Sequence, residues 1–158
     1  MITLNKRAFL VLAGYFALIM GCRGTMPNLG IEKGKFQPCP NSPNCVSSQA
    51  TDEKHFIEPL LVNATPDEAK KHILRILDAT KSSKVVAVEG NYIRTEFVSK
   101  VFRFVDDVEF FISDRDTETS IIHVRSASRV GHFDFGVNRK RIENIRSRIN
   151  DLLGAPYL

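Results

Sequence analysis

Hydrophobic positions along this chain change their period as it proceeds, and each change predicts an element. A run of apolar and weakly polar residues over 8–20 comes first, behind Lys6 and Arg7. From 23 to about 37 the pattern is lost, and three glycines and a proline stand among mostly polar residues, which suits a tether. Residues 55–62 read as an extra N-terminal strand. Thr65-Pro66-Asp67-Glu68 then reads as a helix start, with Thr65 as N-cap, Pro66 at the first position and Glu68 completing a capping box. Ala69, Ile73, Ile76, Leu77 and Thr80 share one face of that helix, which is expected to end near Ala79.

Beyond Lys84 the period drops to two. Residues 85–89, a Gly90-Asn91 turn and 92–97 read as a hairpin, followed by strands over 101–112 and 120–128 joined by a polar turn. Pairing Ile112 with Ser120 puts Phe102, Phe104, Val108, Phe110 and Ile112 on one face with Ile122 and Val124. The same register sets Asp106 opposite Ser126, Asp107 opposite Arg125 and Glu109 opposite His123. A last helix over 137–153 carries Ile142, Ile145, Ile149 and Leu152 at spacings of three and four. The expected class is α+β: a four-stranded antiparallel meander with two helices on one sheet face, plus the extra N-terminal strand.

The chemistry of the first 22 residues changes the picture. A charged start, a short apolar stretch and a small residue make an export signal over 1–21. The apolar run is thirteen residues long, short of the roughly 20 that a helix needs to span a bilayer. Ile19-Met20-Gly21-Cys22 resembles the lipobox of bacterial lipoproteins, with Met20 as a mild departure. That resemblance implies a diacylglycerol on the Cys22 sulfur, cleavage before Cys22 and stable attachment by two or three acyl chains. Arg23 stands where an inner-membrane retention Asp would be, so the outer membrane is favoured, with the domain facing the periplasm. The chain then divides into the signal (1–21), a lipidated tether (22–37) and one domain (38–158).

Setting Cys22 aside leaves Cys39 and Cys45, an even pair in an oxidising compartment. They bracket Pro40-Asn41-Ser42-Pro43-Asn44, whose residues favour turns, and a structural disulfide is expected. A redox pair lacks the C-x-x-C spacing, and two thiols with His55 fall short of a zinc shell. No metal or cofactor is expected.

The formal charge of +4 falls to 20 basic against 18 acidic residues once Lys6 and Arg7 leave with the signal. So balanced a domain has no global field for nucleic acid. A local excess survives: from Arg125 to Arg148 there are seven basic residues against Asp134 and Glu143.

Three segments, Cys39 to Ser48, Phe104 to Phe110 and Arg125 to Arg141, resemble the domain-of-unknown-function family numbered 1499, found in bacterial envelopes and some photosynthetic eukaryotes. The resemblance runs from about Pro38 to the end. It implies a fold and a compartment, and brings no assigned activity.

Three readings of the Arg125 to Arg141 stretch compete. In one, Asp106, Asp107 and Asp134 neutralise Arg125, Arg129 and Arg141 as scaffolding, because charges near a core must be paired. In the second, Arg125, Ser126, Ser128, Arg129, Asp134, Asn138, Arg139 and Arg141, with Asp106 and Asp107, form a binding site for an anionic envelope ligand or an acidic protein partner. In the third, Asp106 serves a hydrolase-like reaction with Ser126 or Ser128, His123 or His132 in reach. No G-x-S-x-G elbow, H-E-x-x-H helix or P-loop supports that chemistry, and Asp107 with Glu109 is too few ligands for a cation. The basic face of the last helix, with Arg139, Lys140, Arg146 and Arg148, offers a contact for anionic lipid. The expectation leans to a non-enzymatic binding or assembly module.

Overall fold

The computed structural model describes residues 24–153. The export signal over 1–21 and the lipidated Cys22 lie outside the described residues. Eight strands and two helices follow in the order β1 (Ile31–Glu32), β2 (Lys35–Phe36), β3 (Cys45–Ser47), β4 (Leu60–Val62), α1 (Pro66–Asp78), β5 (Ser83–Glu89), β6 (Tyr92–Val98), β7 (Val105–Asp114), β8 (Ser120–Ser128) and α2 (Val137–Leu153).

The architecture is mostly β and corrects the expected α+β meander. The main sheet has six strands, all antiparallel, and β1–β2 form a second, two-stranded sheet. Strands β5 to β8 lie side by side in chain order, but β8 does not end the sheet. Its nine residues carry two three-residue partners on the outer edge: β4 pairs Leu60 with Ile122, and β3 pairs Cys45 with Ala127. Such short strands have no readable period, which is why the sequence pattern missed β3 and overextended β4. Between them the Val124 amide donates to Ser48 Oγ at 2.9 Å, and the Ser48 amide donates to the Val124 carbonyl at 2.8 Å. No ladder group of β8 is left open there.

The β7–β8 register also differs from expectation, by two residues. Asp114 faces Ser120, so Ile112 faces Ile122 and Glu109 faces Arg125. The turn explains it. Asp116 Oδ1 accepts the Glu118 and Thr119 amides at 3.0 and 2.8 Å, and the Arg115 amide donates to the Thr119 carbonyl. This side-chain turn shortens the loop and lets the strands pair further. A shift of two keeps every side chain on its face, so the buried set survives.

The strand expected from 101 begins at Val105. Ser99 to Phe104 form a loop closed by hydrogen bonds between Ser99 and Phe104, with Arg103 at φ +59. Phe102 and Phe104 are consequently exposed, not on the apolar face.

Both helices cover the same face of the sheet. Ala69, Ile73, Ile76 and Leu77 of α1 and Ile142, Ile145 and Ile149 of α2 bury against Ile93, Val108, Phe110, Ile112, Ile122 and Val124. Each fully buried Ile or Phe stabilises by about 1.5–3 kcal/mol over its exposed state. Leu152, expected in the α2 stripe, is half exposed. Glu68 accepts from the Thr65 amide at 3.1 Å, which holds the α1 start.

Cys39 and Cys45 are joined by a disulfide with Cα atoms 5.7 Å apart. Buried His55 braces the loop they close, its ring nitrogens 2.7 Å from Asp52 Oδ1 and 3.0 Å from the Ser42 carbonyl. The segment expected as a tether carries the β1–β2 hairpin. Phe36 of β2 is buried, and Gln49 ties the hairpin down by accepting the Phe36 amide and donating to the Gly34 carbonyl.

Candidate functional site

Alternation in β6, β7 and β8 sends every second residue to the face without helices, and there the sheet is charged. Arg94, Glu109 and Arg125 form one cross-strand row, and Glu96 and Asp107 form the next. Arg129, just past β8, completes it: Nε donates to Asp107 Oδ2 and Nη2 to Asp107 Oδ1, both at 2.7 Å, and Nη2 also reaches Glu96. These carboxylates hold the Arg129 guanidinium above its ordinary pKa, Asp107 contributing most. Arg125 Nη1 donates to Glu109 Oε2 at 3.1 Å. Tyr92 donates its hydroxyl to Glu109 Oε1 at 2.9 Å, and burial, reinforced by Glu109, pushes its phenol up. The Gly30 amide donates to the same Oε1, so the N-terminal segment closes over this face.

Asp107 is 1% exposed, Glu109 0% and Arg125 5%. Three arginines meet three carboxylates, so the lattice is neutral as a whole. It is not saturated, because Arg94 Nε lies 3.5 Å from Asp107 Oδ1 without a hydrogen bond and Arg125 Nε also lacks a partner.

On the helix side of the sheet a second polar cluster interrupts the apolar core near the start of α2. Arg141 donates from Nη2 to Asp106 Oδ2 at 2.5 Å and from Nη1 to Ser126 Oγ at 3.0 Å and Asn138 Oδ1 at 2.6 Å. Its guanidinium lies 4.7 Å from the Phe97 ring centroid. Ser126 Oγ donates to Asn138 Oδ1 at 2.6 Å, while Asn138 Nδ2 reaches the Asn44 carbonyl, Ser128 Oγ and Asp134 Oδ2. Asp134 accepts the Gly136 and Asn138 amides at 2.9 Å each, which satisfies first-turn donors of α2. Asn44 donates from Nδ2 to the Gly131 carbonyl at 2.7 Å. This cluster therefore joins the disulfide loop, β8, the loop after it and α2.

The predicted residues thus divide by face. Arg125, Arg129 and Asp107 belong to the charged lattice; Asp106, Ser126, Ser128, Asp134, Asn138 and Arg141 belong to the helix-side cluster. Arg139 joins neither and donates to the Phe56 carbonyl at 2.7 Å. Arg146 likewise donates to the carbonyls of Pro59 and Glu58. Ser126 is fully buried and gives its proton to an amide oxygen, an arrangement that does not activate a nucleophile. Among the described residues, no group of three or more His, Cys, Asp or Glu side chains converges in a metal-holding arrangement.

Arg141 and Asp106 reach an open cleft, of about 360 Å³, between the end of α1, the β6–β7 loop and α2. Phe97, Val98, Val137 and Ile145 give it apolar walls, and Lys100 and Arg148 add cations to Arg141. Arg148 is oriented by donation to Thr80 Oγ1 at 2.7 Å. Lys100 makes no salt bridge within 4.0 Å among the described residues. No local pattern in the sequence marks Lys100, Phe97, Ser82 or Asn144 for this role. Three separate elements bring them together, and no spacing within one element marks that convergence.

A six-stranded antiparallel sheet with both helices on one face, a neutral ion lattice on the other and a disulfide clip at its edge defines a small, mostly β scaffold. The chain belongs to the family described as protein of unknown function (DUF1499), whose model matches residues 35–149. No curated protein and no solved structure matches it significantly. Among the described residues no helix is long and apolar enough to cross a membrane.

Proposed function

We propose that this protein is an exported, lipid-anchored envelope module that binds an amphipathic anion in the cleft beside Arg141. The observation that carries the binding reading is the composition of that cleft: Lys100, Arg141 and Arg148 stand over apolar walls, against the single carboxylate Asp106. A phosphate or carboxylate head would meet the cations and an attached chain the walls. Arg125 and Arg129 act in this reading as scaffolding, because their carboxylate partners already occupy them. The lipobox-like Ile19-Met20-Gly21-Cys22 supports the anchor, and the Cys39–Cys45 disulfide fits an oxidising compartment.

Two measurements test this. Calorimetric titration of the full chain with short-chain phosphatidylglycerol and phosphatidylcholine should give binding of the first and little of the second. Lys100→Glu should weaken that binding about tenfold or more, the usual scale for reversing a charge at a partly desolvated anion site. Equal affinity for both lipids, or an unchanged Lys100→Glu variant, removes the anion reading. For the anchor, metabolic labelling with an alkynyl fatty acid should mark the wild type and not Cys22→Ala.

A further inference from the structure

The exposed apolar side chains of this protein are not scattered. Six of the ten large ones among the described residues, Val101, Phe102, Phe104, Phe133, Phe135 and Val137, stand on the β6–β7 loop and at the β8–α2 junction. These two loops leave the same end of the sheet, where Val98 pairs with Val105 and the Arg129 amide donates to the Val105 carbonyl at 3.1 Å. Lys100 from one and Val137 beside the other line the same cleft.

Both loops are built to hold these groups outward. Ser99 and Phe104 close the first by two 2.9 Å hydrogen bonds, and the Phe102 and Phe104 rings stack at 5.5 Å. In the second, Phe135 takes a left-handed φ of +55 and is 91% exposed, while Asp134, before it, accepts the Gly136 and Asn138 amides that follow it. A non-glycine residue in that conformation carries a conformational cost, here with its aromatic ring in solvent. Lys100, Arg103 and Lys140 are exposed beside these tips.

The chain also enters at this end. Gly24 lies against Arg129 and Val130 so closely that a Cβ there would come within 2.8 Å of the Arg129 Cβ. Cys22 is two residues upstream.

We infer that this end of the domain is a membrane-contacting surface, with the tips carrying Phe102 and Phe135 inserted among the head groups of an anionic bilayer and Lys100, Arg103 and Lys140 against lipid phosphates. Aromatic rings with basic neighbours suit the interface between head groups and acyl chains. Two separate projecting tips fit a deformable lipid surface better than one flat protein partner. The inference rests on the anchored reading for the position of the membrane, since a lipid on Cys22 would draw this end toward the bilayer. It makes the domain lie against the membrane by its own surface, rather than hang from a tether.

The protein has no tryptophan, so single tryptophans report cleanly. The lipidated full chain would be reconstituted in phosphatidylethanolamine–phosphatidylglycerol vesicles as Phe102→Trp, Phe135→Trp and, on the β7–β8 turn at the other end, Thr117→Trp. With brominated acyl chains, the two tip variants should show blue-shifted emission that is quenched, and Thr117→Trp neither. Chains that float with the vesicles but show unquenched tips overturn the surface contact while leaving the anchor intact. Chains that do not float and show no tip quenching overturn both.

Discussion

The two faces of the β6–β7–β8 unit are made by alternate residues of the same strands and are held by opposite means. Val108, Phe110 and Ile112 bury apolar surface under the helices; Asp107 and Glu109, their neighbours in sequence, are buried just as fully among arginines. The apolar face stabilises directly by removing hydrocarbon from water. On the charged face attraction mostly offsets the desolvation of the same ions, so its net contribution to stability is small while the cost of breaking it is large. Its physical consequence is register: a one-residue slip of β7 would bring Asp107 and Glu109 under the helices and expose Val108 and Phe110.

The largest effect expected from this comparison comes from unpairing the charged face. Arg129→Met strands Asp107 and Glu96 and should cost about 3–5 kcal/mol in urea unfolding. Adding Asp107→Leu and Glu96→Leu should return most of that. A triple variant as unstable as the single one would mean that the lattice stabilises the fold by itself, and the contrast between the faces would fail.

The Cys39–Cys45 clip holds β3 against β8 beside both faces, so Cys39→Ser with Cys45→Ser should lower stability by about 2 kcal/mol, with the loss independent of salt. Strong recovery at high ionic strength would argue against a chain-entropy origin. On the apolar face, Ile122→Val should cost about 0.5–1.5 kcal/mol, again without salt dependence. Circular dichroism melts at two salt concentrations separate these responses.

The smallest effect is a pH slope from His123, which lies on the charged face with its ring stacked at 6.4 Å from Phe111. Burial lowers its pKa from 6.5, so below 6.5 the unfolded chain binds more protons than the folded one. Stability should therefore fall as pH drops through that window, and His123→Gln should flatten this part of the slope. An unchanged slope in His123→Gln would assign the acid sensitivity to the carboxylates instead.

Several elements were legible because one local rule sufficed for each. The Thr65-Pro66-Asp67-Glu68 start, the α1 stripe and the bounds of α2 follow from capping chemistry and helical period. Face assignment in β7 and β8 survived an error in register, because a two-residue shift preserves parity. The loop at Ser99 to Phe104 was illegible for the same reason: Phe102 and Phe104 continue the even-numbered apolar pattern past the point where the strand ends. Of the candidate site, the neutralisation of Arg125, Arg129 and Arg141 by Asp106, Asp107 and Asp134 was anticipated only as a set, in one of three competing readings, without the individual pairs. Arg94 and Glu96 were absent from it, and Glu109 was set opposite His123 rather than Arg125, because their part in the lattice comes from strand neighbours across the sheet.

By itself the sequence determined what depends on neighbours along the chain: the helices, the alternation of the long strands and the turn-rich loop between Cys39 and Cys45. Tertiary structure decided that β8 carries two more strands on its outer edge, that charges from three strands cancel on one face, and that Lys100, Arg141 and Arg148 open onto one cleft. The reason is separation. Periodicity reports which face a residue takes, whereas cross-strand partners are chosen by register and turn geometry, and the convergence of three elements on a cleft leaves no mark within any one of them.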